Sequence, residues 1–178
     1  NTYCIRFYRG QNTQAVAVQN TAALLSAAAA AGVARVVHIS ITNPSLDSRL
    51  SYFHGKARNE QIVISSSLSY AILRPTILFG REDILINNIA YLLRRFPFFC
   101  VAGDGAYQVQ PVYVDDLAAL VEEATFRTDS YVVDAVGQEV YNFRALVELI
   151  GASIGHKRTL VPVAPAVLKL AAGVLGAF

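Results

Sequence analysis

The sequence predicts an α/β chain built on a parallel sheet, and three observations carry that expectation. Short apolar, β-branched runs alternate with longer helical stretches through the first half of the 178 residues. Strand–helix–strand–helix–strand order implies right-handed crossovers and strands that run the same way. Hydrophobic residues make up 54% and charged residues only 16%, so most elements must be buried on at least one side.

Thr2–Tyr8 is β-branched and aromatic, which suits a strand. Thr13–Ala31 is helical in composition, with an alanine run and Gly32 placed to cap it. Arg35-Val36-Val37-His38-Ile39-Ser40 is the next strand, and Thr42-Asn43-Pro44-Ser45 is loop. Leu50–Ser67 is expected to be a helix, and Ser69–Pro75 a strand that proline closes. The second half alternates less regularly. A helix is expected over Ile84–Arg95 and a short strand over Phe98–Ala102. Gly103-Asp104-Gly105 makes a turn, and a strand over Gln108–Val114 follows. Asp115-Asp116 then opens a helix through Ala124, with carboxylates at its positive end. Tyr131–Val136 is a strand and Phe143–Ile154 a helix capped by Gly155. The tail, Leu160–Phe178, is apolar apart from Lys169. Pro162 and Pro165 leave about thirteen residues of good helix there, too few to span a bilayer. A buried or interfacial helix is the expectation.

Net charge is +2 and the basic residues are scattered, which excludes a nucleic-acid surface as the leading expectation. Cys4 and Cys100 are far apart and form neither a metal nor a redox motif, so a reducing compartment is the default. Met is absent, including at position 1, and the chain opens in an apolar segment without a charged leader. The sequence is therefore expected to be part of a longer protein.

Tyr52 and Lys56 carry the clearest chemistry. Four apart on a helix, they share a face, which sets a phenol beside an ammonium. A nearby positive charge favours the phenolate and prepares the tyrosine to exchange a proton near neutral pH. Ser40 ends a buried strand, at the carboxyl edge of the sheet where open α/β folds bind ligands. A partly buried tyrosine beside a solvated lysine is the plainer reading of the same spacing.

In order along the chain stand Ala30-Ala31-Gly32-Val33-Ala34-Arg35-Val36-Val37-His38-Ile39-Ser40, then Tyr52-Phe53-His54-Gly55-Lys56, then Ile72-Leu73-Arg74-Pro75-Thr76 with Phe79-Gly80. Gly103-Asp104-Gly105 and Gln110-Pro111-Val112-Tyr113-Val114-Asp115-Asp116 complete the series. On these segments the chain resembles the extended and atypical branches of the short-chain dehydrogenase/reductase superfamily, the NAD-dependent epimerase/dehydratase type. With Asn43-Pro44-Ser45, its likeness is nearest to the group around the nucleotide-binding accessory subunit of respiratory complex I and its bacterial relatives.

The resemblance implies the later part of a Rossmann-like, doubly wound parallel sheet with a small α+β substrate-side region. Residues 1–100 would form a partial NAD(P)-binding half. Residues 101–178 would form the substrate side with the apolar tail, not an independent domain. Members open with a strand, a Gly-x-x-Gly-x-x-Gly turn and a helix that hold the cofactor pyrophosphate. No such turn occurs in this sequence. The choice between NAD and NADP is made beside that missing region and stays open.

By the same resemblance Tyr52 would be the general acid/base, Lys56 would lower its pKa and bond the nicotinamide ribose, and Ser40 would orient the substrate oxygen. Ile39 and Pro75, with the backbone of Thr76 and Ile77, would line the nicotinamide site, although Pro75 also serves simply to end a strand. Arg74 suits cofactor contact or a structural ion pair. Asp115 and Asp116 suit helix capping better than a metal, and no metal site is expected. His38 reads as a core residue. The family's supporting asparagine on the preceding helix falls at Ala17, with Asn20 one turn later. The implied function is an NAD(P)-binding oxidoreductase or epimerase-like protein acting on a small molecule. The alternative is a non-catalytic, cofactor-bound accessory or assembly subunit of a respiratory or quinone-linked membrane complex, peripheral at the membrane through its apolar tail. A dinucleotide-binding redox sensor comes third, because such a sensor has no need of both Tyr52 and Lys56.

Overall fold

The computed structural model describes residues 1–3 and 13–167. Most of the strand expected over Thr2–Tyr8, and the helix expected after Pro165, fall outside those residues.

The first helix, α1 (Gln14–Ala30), starts at Thr13, whose Oγ1 accepts the Val16 N–H at 3.3 Å. It stops before Gly32, which adopts a left-handed φ of 74° that an L side chain resists. Strand β1 (Arg35–Ile39), helix α2 (Ser51–Ser65) and strand β2 (Ser69–Pro75) follow as expected within two residues. Next comes β3 (Ile77–Phe79), a strand the local sequence does not announce. Helix α3 (Leu85–Arg95) ends two residues before Pro97, with Phe96 between them already extended, and β4 (Phe98–Ala102) matches its expected bounds. The strand expected over Gln108–Val114 is two strands, β5 (Gln108–Val109) and β6 (Pro111–Tyr113). They pair in opposite senses with different partners, so the ladder breaks at Gln110, where proline follows. Helix α4 (Val114–Phe126) holds Asp115 and Asp116 in its first turn, and β7 (Tyr131–Ala135) follows. After β8 (Tyr141–Asn142), helix α5 (Phe143–Ser153) is capped by Asn142, whose Oδ1 accepts the Ala145 N–H at 2.7 Å. The last described strand, β9 (Thr159–Val163), takes in the start of the segment expected to be an apolar tail. Val161 and Val163 suit a strand, and Pro162 is tolerated because, among the described residues, β9 pairs on one side only, with β4.

The described residues form two compact units. The first comprises Asn1–Thr76 and Asp115–Val136, so a segment beyond residue 100 packs with the early strands. Its sheet has the order β1-β2-β7, all parallel, with His38 opposite Ile72 and Leu73 opposite Val133. Alternate residues point to opposite faces. One face packs Ile72 and Val36 against Leu25, Val63 and Leu68 beneath α1 and α2. The other packs Leu73, Ala135, Val37 and Ile39 against Leu117 and Val121 of α4. Helices thus cover both faces of a parallel sheet, the doubly wound arrangement the alternation implied. Arg35 ties the layers together: its Nε donates to the Ala124 carbonyl at 2.7 Å, satisfying an acceptor in the last turn of α4.

The second unit comprises Ile77–Val114 and Gly137–Phe178. Its core is Ile89, Leu93, Phe99, Val101, Leu146, Val147 and Ile150, where α3 and α5 meet β4. Parallel pairs β3–β6 and β4–β9 and an antiparallel pair β5–β8 complete it. Among the described residues of both units, no helix is long and apolar enough to cross a membrane.

Candidate functional site

The three strands of the first unit end at Ile39, Pro75 and Ala135, β1 stopping level with Leu73, which sets Ser40, Thr76 and Val136 along the carboxyl edge of the sheet. The backbone there is tightly held. The Ser40 N–H donates to the Leu73 carbonyl at 2.8 Å, Thr42 N–H to Pro75 at 3.3 Å, and Thr76 N–H to Ala135 at 3.4 Å.

Helix α2 delivers Tyr52 in its first turn and Lys56 one turn later. The Tyr52 ring is half-buried and meets Phe53 edge to face, with centroids 5.9 Å apart. Lys56 is only 4% exposed, and its Nζ donates to the Ile39 carbonyl at 3.2 Å. That contact joins α2 to the end of β1 and refutes the plainer picture of a solvated lysine. Ser40 is 2% exposed, and its Oγ has no hydrogen-bond partner among the described residues. Pro75 is buried opposite Ala135, closing β2. Ile77 opens β3 in the second unit, paired with Pro111. Of the expected site residues, the first unit therefore carries Ile39, Ser40, Tyr52, Lys56, Pro75 and Thr76, and the second carries Ile77.

A polar layer accompanies this set; of its members sequence reasoning placed His38 in the core and missed the others. Gln14, Thr21, His38, Asn59 and Glu60 are all buried in the first unit. Glu60 lies one turn beyond Lys56 and takes a bidentate ion pair from Arg74, at 3.0 and 2.6 Å. Arg74 is thus engaged in an ion pair within the protein, which raises its pKa through the Glu60 hydrogen bond. The one signal available was helical spacing, since residues 52, 56, 59, 60 and 63 share one side of α2. Buried His38 has its pKa pushed down to about 4, first by burial and then by the Lys56 charge. Ala17 is buried, and Asn20 bonds Tyr3 at the surface instead of facing the site. Among the described residues, no group of three or more His, Cys, Asp or Glu side chains could hold a metal.

Structurally, this is the fold of nicotinamide-dependent sugar-nucleotide epimerases and reductases. The solved structure of MoeE5 in complex with UDP-glucuronic acid and NAD superposes with a TM-score of 0.71 at 20% identity, over 82% of this chain and 56% of that one. A dTDP-4-dehydrorhamnose reductase from Bacillus anthracis, in complex with NADP, gives 0.74 at 17% identity, over 87% and 60%. In sequence, the chain is similar to the 40 kDa subunit of mitochondrial NADH-ubiquinone oxidoreductase from Neurospora crassa, 29% identical over 90% of this chain and 42% of that protein. Subunit 9 of the NADH dehydrogenase 1 alpha subcomplex from Mus musculus is 36% identical over 61% of this chain and 29% of its own length. The resemblance read from the sequence motifs therefore holds at both levels. No protein-family model matches the chain. It spans less than half the length of these curated relatives.

Proposed function

We propose that the full-length protein binds a nicotinamide dinucleotide at the carboxyl edge of the first unit's sheet and acts on a small-molecule alcohol or carbonyl there. The observation that carries this reading is Lys56, a buried ammonium fixed to the Ile39 carbonyl, one turn from Tyr52 and beside the buried, partnerless hydroxyl of Ser40. A buried lysine and an unpaired hydroxyl both cost stability, which suits groups kept for a ligand.

When bound, the nicotinamide ring supplies a carbon that accepts or donates hydride. Lys56 would bond the cofactor's ribose and favour the tyrosinate form of Tyr52. Tyr52 would take the hydroxyl proton as hydride leaves the substrate carbon, and return it in the reverse direction. Ser40 would direct the substrate oxygen toward Tyr52. Ile39, Pro75 and the backbone of Thr76 would form the wall against the ring. NAD and NADP are both named with solved structures of this fold. Substrates such as the UDP-sugar bound to MoeE5 set the size of molecule to try first.

A second reading is favoured by the Neurospora similarity, which runs over 90% of the chain. In it the protein is a cofactor-bound accessory subunit of a respiratory complex, peripheral at the membrane, with structure rather than turnover as the cofactor's role. Alanine at position 17 fits such a loss of turnover. Replacing Tyr52 with Phe in the full-length protein separates the two. An enzyme loses turnover on carbonyl, quinone and sugar-nucleotide panels by ~100-fold or more while keeping cofactor affinity. A parent protein with no turnover that co-purifies with a membrane complex is the subunit.

A further inference from the structure

Three buried side-chain atoms, His38 Nε2, Ser40 Oγ and Asn59 Oδ1, have no hydrogen-bond partner among the described residues. Each residue is at most 2% exposed. An unpaired buried polar group costs about 1–3 kcal/mol, so three would consume much of a domain's ~5–15 kcal/mol stability. They also come from two elements in contact, α2 and the end of β1. His38 and Ser40, two apart, project from the same face of β1 as Val36, which packs beneath α1 and α2. Asn59 sits on the buried side of α2, between Lys56 and Val63. Lys56 Nζ reaches the carbonyl of Ile39, the residue between His38 and Ser40.

Their hydrogen-bonding senses are complementary. The Asn1 side-chain Nδ2, a donor, lies 3.2 Å from His38 Nδ1, so Nδ1 accepts and the neutral ring carries its proton on Nε2. Burial keeps that ring neutral at physiological pH. The layer therefore offers one donor at His38 Nε2, one acceptor at Asn59 Oδ1 and a Ser40 hydroxyl able to do either. Water accepts from the first, donates to the second and serves the third in either sense; a buried water typically makes about three such bonds.

We propose that β1 and α2 enclose an internal water site formed by His38 Nε2, Ser40 Oγ and Asn59 Oδ1, and that this water fixes the direction of the Ser40 hydroxyl. His38 and Asn59 are then positioning residues for Ser40. The water site stands without the proposed function; its effect on turnover rests on that reading.

A crystal structure of the full-length protein at about 1.5 Å or better, with 15N-histidine NMR in solution, tests the proposal. The expected result is an ordered water within hydrogen-bond distance of Ser40 Oγ and at least one of the other two atoms. The His38 ring should show the Nε2–H form, with magnetisation transfer from water. Asn59→Leu and His38→Phe should lose the water, and His38→Gln, which keeps a donor, should retain it. Well-ordered side chains with no such water, or a direct bond from Ser40 Oγ to a protein group, overturn the site. In turnover, His38→Phe should lower kcat ~10-fold with cofactor KM unchanged, and His38→Gln should recover most of it. Equal kcat for these two variants, with the water present in only one, overturns the positioning role. A Tyr52→Phe variant as active as the parent refutes the proposed function and leaves the water site to be judged on density and NMR alone.

Discussion

Lys56, His38 and Glu60 show how one helix turn controls the charge of the first unit's interior. His38 is held neutral, with its folded pKa about 4 against 6.5 unfolded. Between those values the unfolded chain binds the extra proton, so stability rises with pH across that window and falls on acidification. His38 alone should make the protein about 3 kcal/mol less stable at pH 4 than at pH 7. Urea midpoints measured at several pH values should show that slope, and His38→Phe should flatten it. The Arg74–Glu60 pair behaves differently because its two ends differ in exposure, 30% and 6%. Arg74→Ala strands a buried carboxylate. The cost should be ~2–3 kcal/mol, below the ~3–5 kcal/mol of a fully buried pair, because solvent reaches the guanidinium side. Replacing both partners, Glu60→Gln with Arg74→Met, should recover part of that loss in the same denaturation assay.

At the scale of elements, close approaches matter more than propensity. A Cβ at Gly55 would lie 2.7 Å from Gln14 Oε1 and 3.0 Å from Gln14 Cβ, so α2 passes α1 through a glycine. Alanine in mid-helix gains about 1 kcal/mol in propensity, but overpacking costs ~1–3 kcal/mol, so Gly55→Ala should lower the thermal midpoint. Combining it with Gln14→Ala removes the contact with Oε1 but keeps the 3.0 Å contact with Cβ, so the pair should recover part of the loss. In the second unit, a Cβ at Gly137 would fall 1.8 Å from the Pro111 carbonyl oxygen. Backbone cannot yield as a side chain can, so Gly137→Ala should cost more than ~3 kcal/mol and break the 2.6 Å bond from Gln110 Nε2 to Gly137. The elements legible in the sequence were those with their own signals: Thr13 and Gly32 around α1, the apolar runs of β1 and β2, and Pro97 after α3. The unannounced β3, β8 and β9 run two to five residues and depend on partners distant in the chain. Local sequence carries little of that information. The placement of Tyr52 and Lys56 on one helix and of Ser40 just past a strand was likewise legible from spacing and strand position. Asn59, Glu60, Gln14 and Thr21 were not, because their burial comes from α1 packing on α2.

On the scale of the whole molecule, two similarities have to be reconciled. The fold matches sugar-nucleotide enzymes at 20% identity or below, and the sequence matches respiratory-complex subunits at 29–36%. A shared cofactor cradle, as proposed above, would account for both, whichever way the chemistry has gone, since fold alone does not set function. In that proposal the Lys56 contact with Ile39 and the unpaired Ser40 hydroxyl belong to the cradle. Titrating NADH and NADPH into the full-length protein, parent and Lys56→Met, addresses it most directly. Saturable binding of one of them, weakened ~10–100-fold by the substitution with the circular-dichroism spectrum unchanged, is the predicted result. Failure of both nucleotides to bind the parent, or equal affinity in the two proteins, would contradict it.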